Sequence, residues 1–126
     1  MRVLITCPPM LNMVENFRSI FTESKIELVT PEVTQTLTPE QLSAILPNCD
    51  GWIAGDDPAN RQVLTAGRNG LLKSVVKWGV GTDNVDIEAC KELGIHFSNT
   101  PDVFGKEVAD VAIGYCISLA RQLPQI

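Results

Sequence analysis

Apolar residues come along this chain in short bursts separated by longer stretches of helical spacing. Val3–Thr6 is a compact apolar run that predicts a strand, and Asn12–Phe21 then carries Met13, Val14, Phe17, Ile20 and Phe21 at the spacing of a helix. Lys25–Val29 predicts a second strand. Thr38-Pro39-Glu40-Gln41 opens a helix with a capping residue, a first-turn proline and a glutamine placed to close a capping box; that helix should stop near Pro47. Gly51–Ala54 predicts a third strand, Asn60–Ala66 a short helix, and Ser74–Trp78 a fourth strand. Asp86 caps a helix that ends at Gly94, and Ile95–Ser98 predicts a fifth strand. A long helix follows over Val103–Leu123.

Strand and helix therefore alternate with short connections. The predicted fold is α/β: a flavodoxin-like parallel sheet of five strands with helices on both faces, then a long C-terminal helix. Ligands of such sheets bind beyond the carboxyl ends of the strands. That directs attention to four loops, Thr6–Met10, Gly55–Pro58, Gly79–Asp86 and Asn99–Asp102.

The last helix is apolar on two sides. Val108, Val111, Ala112, Tyr115, Cys116 and Leu119 form one face, and Ala109, Ile113, Ile117 and Ala120 an adjacent one. A helix of this kind is expected to be covered on more than one side. The sequence thus predicts a dimer or higher oligomer held through Val103–Leu123.

Composition narrows the picture. The chain has 126 residues, enough for one domain, and a formal net charge of −5, which disfavours nucleic acid and anionic membranes as partners. No run approaches the ~18 apolar residues of a membrane span, and the N-terminal apolar run is too short for a signal peptide. Cys7, Cys49, Cys90 and Cys116 form no CxxC pair, and His96 is the sole histidine, so no metal site is expected. Free thiols imply a reducing compartment, and the expected location is cytoplasmic.

The Gly79-Val80-Gly81-Thr82-Asp83-Asn84 loop is the richest in candidate chemistry. It offers G-x-G, but Asn84 stands where a dinucleotide fingerprint needs its third glycine, and the loop follows the fourth strand instead of the first. Successive backbone amides in such a turn can hold a carboxylate. A turn that only connects strand to helix has the same glycine content.

Beyond that point the motifs are specific. Val75–Asp86, Ala89–Ile95, Ser98-Asn99-Thr100-Pro101 and Val108–Gly114, with Asp50–Gly55 upstream, together resemble the D-isomer-specific 2-hydroxyacid dehydrogenases, the phosphoglycerate dehydrogenase-like family. The resemblance is strong from Cys49 to Arg121 and weak before it. It implies a substrate-binding domain over residues 1–100. Residues 101–126 would be a hinge and the helix that begins a Rossmann cofactor domain. It also implies NAD as cofactor and a 2-hydroxy or 2-oxo acid as substrate. By the same resemblance the Val80 and Gly81 amides would bind the substrate carboxylate, Asn99 would stand at the hinge, the Gly55-Asp56-Asp57 loop would line the cleft, and Lys77 would be a support residue.

The family's catalytic arginine, glutamate and histidine lie beyond the matched stretch, so no catalytic residue is expected in this chain, and His96 falls in a strand. The chain is therefore expected to be truncated before its cofactor and catalytic residues, and inactive by itself. A non-catalytic binding or dimerisation module of the same fold is the alternative. A response-regulator receiver fits poorly, because the loop after the first strand, Thr6-Cys7-Pro8-Pro9-Met10, has no carboxylate to hold Mg²⁺. Arg61, Arg68, Lys73 and Lys77 are the candidate contacts for a substrate phosphate, although four cations over this stretch are more commonly an ordinary solvated surface.

Overall fold

A computed structural model of the protein describes residues 1–123; of the 101–126 stretch, residues 124–126 lie outside it. Five strands, β1 (Arg2–Ile5), β2 (Glu27–Val29), β3 (Gly51–Ala54), β4 (Ser74–Lys77) and β5 (His96–Ser98), form one sheet in the order β2-β1-β3-β4-β5. Every pairing is parallel. The helices are α1 (Pro8–Leu11), α2 (Val14–Glu23), α3 (Pro39–Ile45), α4 (Arg61–Arg68), α5 (Ile87–Glu92) and α6 (Gly105–Ala120), and a 3₁₀ turn covers Leu46–Asn48.

Side-chain alternation along the strands sorts the core into two layers. On one face Leu4, Trp52, Ala54 and Val75 are buried against Leu42, Leu46, Val63, Leu64, Ala89 and Cys90 from the α3–α5 side. On the other, Ile5 packs with Met10, Val14, Phe17 and Phe21 from α1 and α2. The helices lie on both faces, as the alternating pattern predicts. The expected caps at Thr38 and Asp86 stand at their helix starts, and Asn60 is a third. Thr38 accepts from the Gln41 amide in a full capping box, Asn60 accepts from Val63, and Asp86 accepts from Ala89.

The differences from the sequence reading have local causes. The helix expected over Asn12–Phe21 is α2, shifted to Val14–Glu23, and a further short helix, α1, begins inside the expected Thr6–Met10 loop. Pro8 and Pro9 occupy the first turn of α1, where their missing N–H groups are no loss. The second strand starts at Glu27, not Lys25, because Lys25 is left-handed, with φ 55°. The expected 103–123 helix is regular only over Gly105–Ala120, with Phe104 and Arg121 as its caps.

Helix α6 has no buried residue. Val108, Ile113, Tyr115, Ile117 and Leu119 are all more than half exposed.

Candidate functional site

Strand order reverses direction between β1 and β3, and the crevice outside the carboxyl ends at such a switch point is the usual ligand position. Here that crevice is filled. Gly55, at the end of β3, is so close to β1 that a Cβ on it would lie 3.1 Å from the Cys7 Cα. Beneath it sits Asp57, fully buried. Its carboxyl group accepts from the Leu37 amide at 2.8 Å, from the Gly55 amide at 3.1 Å and from the Thr6 hydroxyl. The Thr6 oxygen in turn accepts from the Trp52 indole at 2.9 Å. This polar cluster fastens the β3–α4 loop to β1.

The open ground is one strand over, after β4. Val75 and Lys77 take the core-facing positions of β4, so the Lys77 side chain runs into the protein and is 6% exposed. A buried ammonium needs acceptors. Lys77 Nζ donates to the Gly55 carbonyl and to Asp56 Oδ1, both at 2.6 Å. The Asp56 side chain itself is 85% exposed. Asn84 reinforces the same loop, its side-chain amide donating to the Asp57 carbonyl at 2.6 Å and to the Gly55 carbonyl at 3.2 Å. Two backbone bonds, Ala59 N–H to Asn84 O and Asp86 N–H to Ala59 O, zip the β3–α4 loop to the loop after β4.

The glycine turn is framed from its other side by the segment after β5. The Gly79 amide donates to Thr100 Oγ1 at 3.0 Å, the Thr100 amide donates to the Gly79 carbonyl at 3.1 Å, and Asn99 Nδ2 donates to the Val80 carbonyl at 2.9 Å. Gly79 has φ 142°, a conformation that side chains rarely adopt. Gly81 carries no such requirement, and a Cβ on it would meet nothing within 4 Å. Both Val80 and Gly81 are exposed, and among the described residues their amides donate to no protein acceptor. A shallow cleft lined by Trp78, Thr100, Val103 and Phe104 adjoins the turn.

These features distinguish the sequence-derived candidates. Val80, Gly81 and Asn99 come together in one turn. Gly55 is buried with its amide and carbonyl both engaged, so it anchors the loop, and Asp56 presents a carboxylate paired with Lys77. Asp57, expected with its loop to line the cleft, is instead fully buried, and the structural roles of Thr6, Trp52, Asn84 and Thr100 have no counterpart in the sequence reading, although a lysine at the core-facing end of a strand is itself a readable sign of a buried polar cluster. The candidate phosphate contacts are engaged elsewhere. Arg61 pairs with Glu92 at 2.5 Å, Arg68 donates to the Leu93 carbonyl at 2.8 Å, and Lys73 lies 3.6 Å from Asp50 at the amino end of the sheet. His96 is exposed on β5. Among the described residues no cluster could hold a metal ion, and no helix is long and apolar enough to cross a membrane. An apolar groove lined by Met1, Val3, Phe21 and Val76 lies toward the sheet's amino end, away from the glycine turn.

Residues 3–116 match the family model of the D-isomer specific 2-hydroxyacid dehydrogenase catalytic domain. The chain belongs to this family. It is 37% identical over 92 residues to D-3-phosphoglycerate dehydrogenase of Sus scrofa, a match covering 72% of this chain and 17% of that one. It is 33% identical over 94 residues to hydroxypyruvate reductase of Thermotoga maritima, covering 73% of this chain and 30% of that one. Among solved structures, the NAD⁺-bound 3-phosphoglycerate dehydrogenase of Entamoeba histolytica superposes with a TM-score of 0.78 at 30% identity, over 94% of this chain and 38% of that one. This chain thus spans well under half the length of these relatives. The family is one of oxidoreductases acting on small 2-hydroxy acids.

Proposed function

We propose that residues 1–100 form the substrate-binding domain of an NAD-dependent D-2-hydroxyacid dehydrogenase, phosphoglycerate dehydrogenase-like, with the substrate carboxylate received by the Val80 and Gly81 amides. One observation carries this reading: both amides are exposed and, among the described residues, unpartnered, in a turn that Thr100 and Asn99 hold through Gly79 and the Val80 carbonyl. Free N–H groups in a pre-fixed turn bind an anion with little ordering cost. Asn99 holds the turn through the Val80 carbonyl, and the Gly55–Asp56 loop borders it.

NAD is proposed for the whole enzyme on the strength of the cofactor in the Entamoeba relative. The described residues do not themselves fit a dinucleotide. Asn84 stands at the third fingerprint position with its amide engaged, and the Asp86 carboxylate caps the α5 N-terminus where a pyrophosphate would sit. Residues 101–126 are read as the hinge and first helix of a cofactor domain. The exposed apolar faces of α6 favour a second copy as its partner through 103–123, since a patch of this kind exceeds what monomers usually leave in water. Cys7, Cys49, Cys90 and Cys116 are free, in keeping with a reducing, cytoplasmic setting.

The test is a ¹H–¹⁵N NMR titration of the 126-residue chain with D-glycerate and, separately, NAD. Saturable shifts centred on Val80 and Gly81 with D-glycerate, and none with NAD, are expected. Shifts spread over the surface, or none at the turn, would overturn the assignment.

A further inference from the structure

Lys77 joins the two loops at the carboxyl ends of β3 and β4, alongside Asn84 and the Ala59 backbone, and is the one of these ties that reaches Asp56. Its stem runs beneath the glycine turn, with Cε 3.7 Å from where a Gly79 Cβ would stand. Its ammonium reaches across to the Gly55 carbonyl and the Asp56 carboxylate, both at 2.6 Å. Lys77 is 4% exposed overall, so a carboxylate in the turn would not meet its head group through open solvent. The Asp56 side chain, by contrast, stands almost free in water beside the turn. An exposed acid near an anion site opposes binding, and only its pairing with the buried ammonium holds it in place and offsets its charge.

We propose that Lys77 is a positioning residue for carboxylate binding: it clamps the Gly55–Asp56 loop against the underside of the Gly79–Gly81 turn, fixing both loops and neutralising Asp56. This rests on the reading of that turn as the carboxylate site. The ion pair itself adds little to stability, because Asp56 is exposed and screened. The effect lies in pre-organisation, which changes affinity more than folding.

Three variants of the 126-residue chain test it: Lys77→Met, which keeps the stem and removes the donor; Lys77→Arg, which keeps charge and donors; and Lys77→Gln, which keeps a shorter neutral donor. Each is titrated with D-glycerate by NMR, with amide hydrogen exchange measured at Gly55, Asp56, Val80 and Gly81 and unfolding followed by urea. Lys77→Met should weaken D-glycerate binding about tenfold, the scale of a lost pre-organising contact. It should speed exchange at Gly55 and Asp56 while the α4 and α5 amides stay protected, and Lys77→Arg should restore both. If Lys77→Met does not fold, Lys77→Gln decides, with the same weakening expected. Unchanged affinity and unchanged local exchange in either folded variant would overturn the positioning role, as would a failure of Lys77→Arg to rescue. Absence of D-glycerate binding at the turn of the unsubstituted chain would instead overturn the carboxylate reading on which this rests.

Discussion

Replacing Asp57 with alanine removes an acceptor that three elements share. The Leu37 and Gly55 amides would be left buried without a partner, while the Thr6 hydroxyl keeps its contact with Trp52. An orphaned buried donor costs about 1–3 kcal/mol, so the two amides together account for roughly 2–6 kcal/mol. Against this, the substitution removes a carboxyl group from a fully buried site with no cation bonded to it, which relieves desolvation. The orphaned amides should win, because the buried carboxyl group is already compensated by three donors, so its removal relieves little. The expected net loss is about 2–4 kcal/mol, a large part of the roughly 5–15 kcal/mol a domain of this kind has. Asp57→Asn keeps one carbonyl oxygen at nearly the same shape and should lose about half as much. Urea unfolding, read as a shift in midpoint at constant slope, measures both. A loss below about 0.5 kcal/mol for Asp57→Ala, the range of ordinary surface substitutions, would refute the structural role assigned to this cluster.

Other consequences are more local. Gly79→Ala should destabilise by about 1–3 kcal/mol through its φ of 142°, whereas Gly81→Ala should stay within about 0.5 kcal/mol; calorimetry on both separates them. Gly81→Val should abolish carboxylate binding by occupying the open space over the turn, with stability nearly unchanged. Burial pushes the thiols of Cys7, Cys49 and Cys90 up from their ordinary value, while Cys116 is exposed, so a thiol reagent at pH 8 should label one cysteine quickly and three only on unfolding. Ile113→Glu or Ile117→Glu should shift the mass seen by light scattering toward monomer, and a clean monomer of the unsubstituted chain at high concentration would contradict association through α6.

Much of this architecture is visible in the sequence because it rests on local patterns. Short apolar runs mark the strands at Gly51–Ala54 and Ser74–Lys77, and the caps Thr38 and Asp86 mark where helices begin. The two apolar sides of α6 are equally plain. Pro8-Pro9 misleads, since the same dipeptide that suggests a loop also suits the first turn of a helix. The cluster of Thr6, Trp52 and Asp57 has no sequence signature at all: its members are joined across some fifty residues by the register of β1 on β3. Likewise Gly79 and Gly81 look equivalent as letters, yet only the backbone angle shows which one must be glycine. Asp56 reads as a cleft residue from its place in the loop, and its tie to Lys77 emerges only when two strands lie side by side.

The carboxylate assignment is tested most directly by a crystal structure of this chain with D-glycerate. The account predicts a carboxylate oxygen within hydrogen-bonding distance, about 2.7–3.2 Å, of both the Val80 and Gly81 nitrogens, with the Lys77 contacts to Gly55 and Asp56 unchanged. A ligand bound elsewhere while the turn stays free, or a turn whose two amides prove to be paired within the protein, would contradict it.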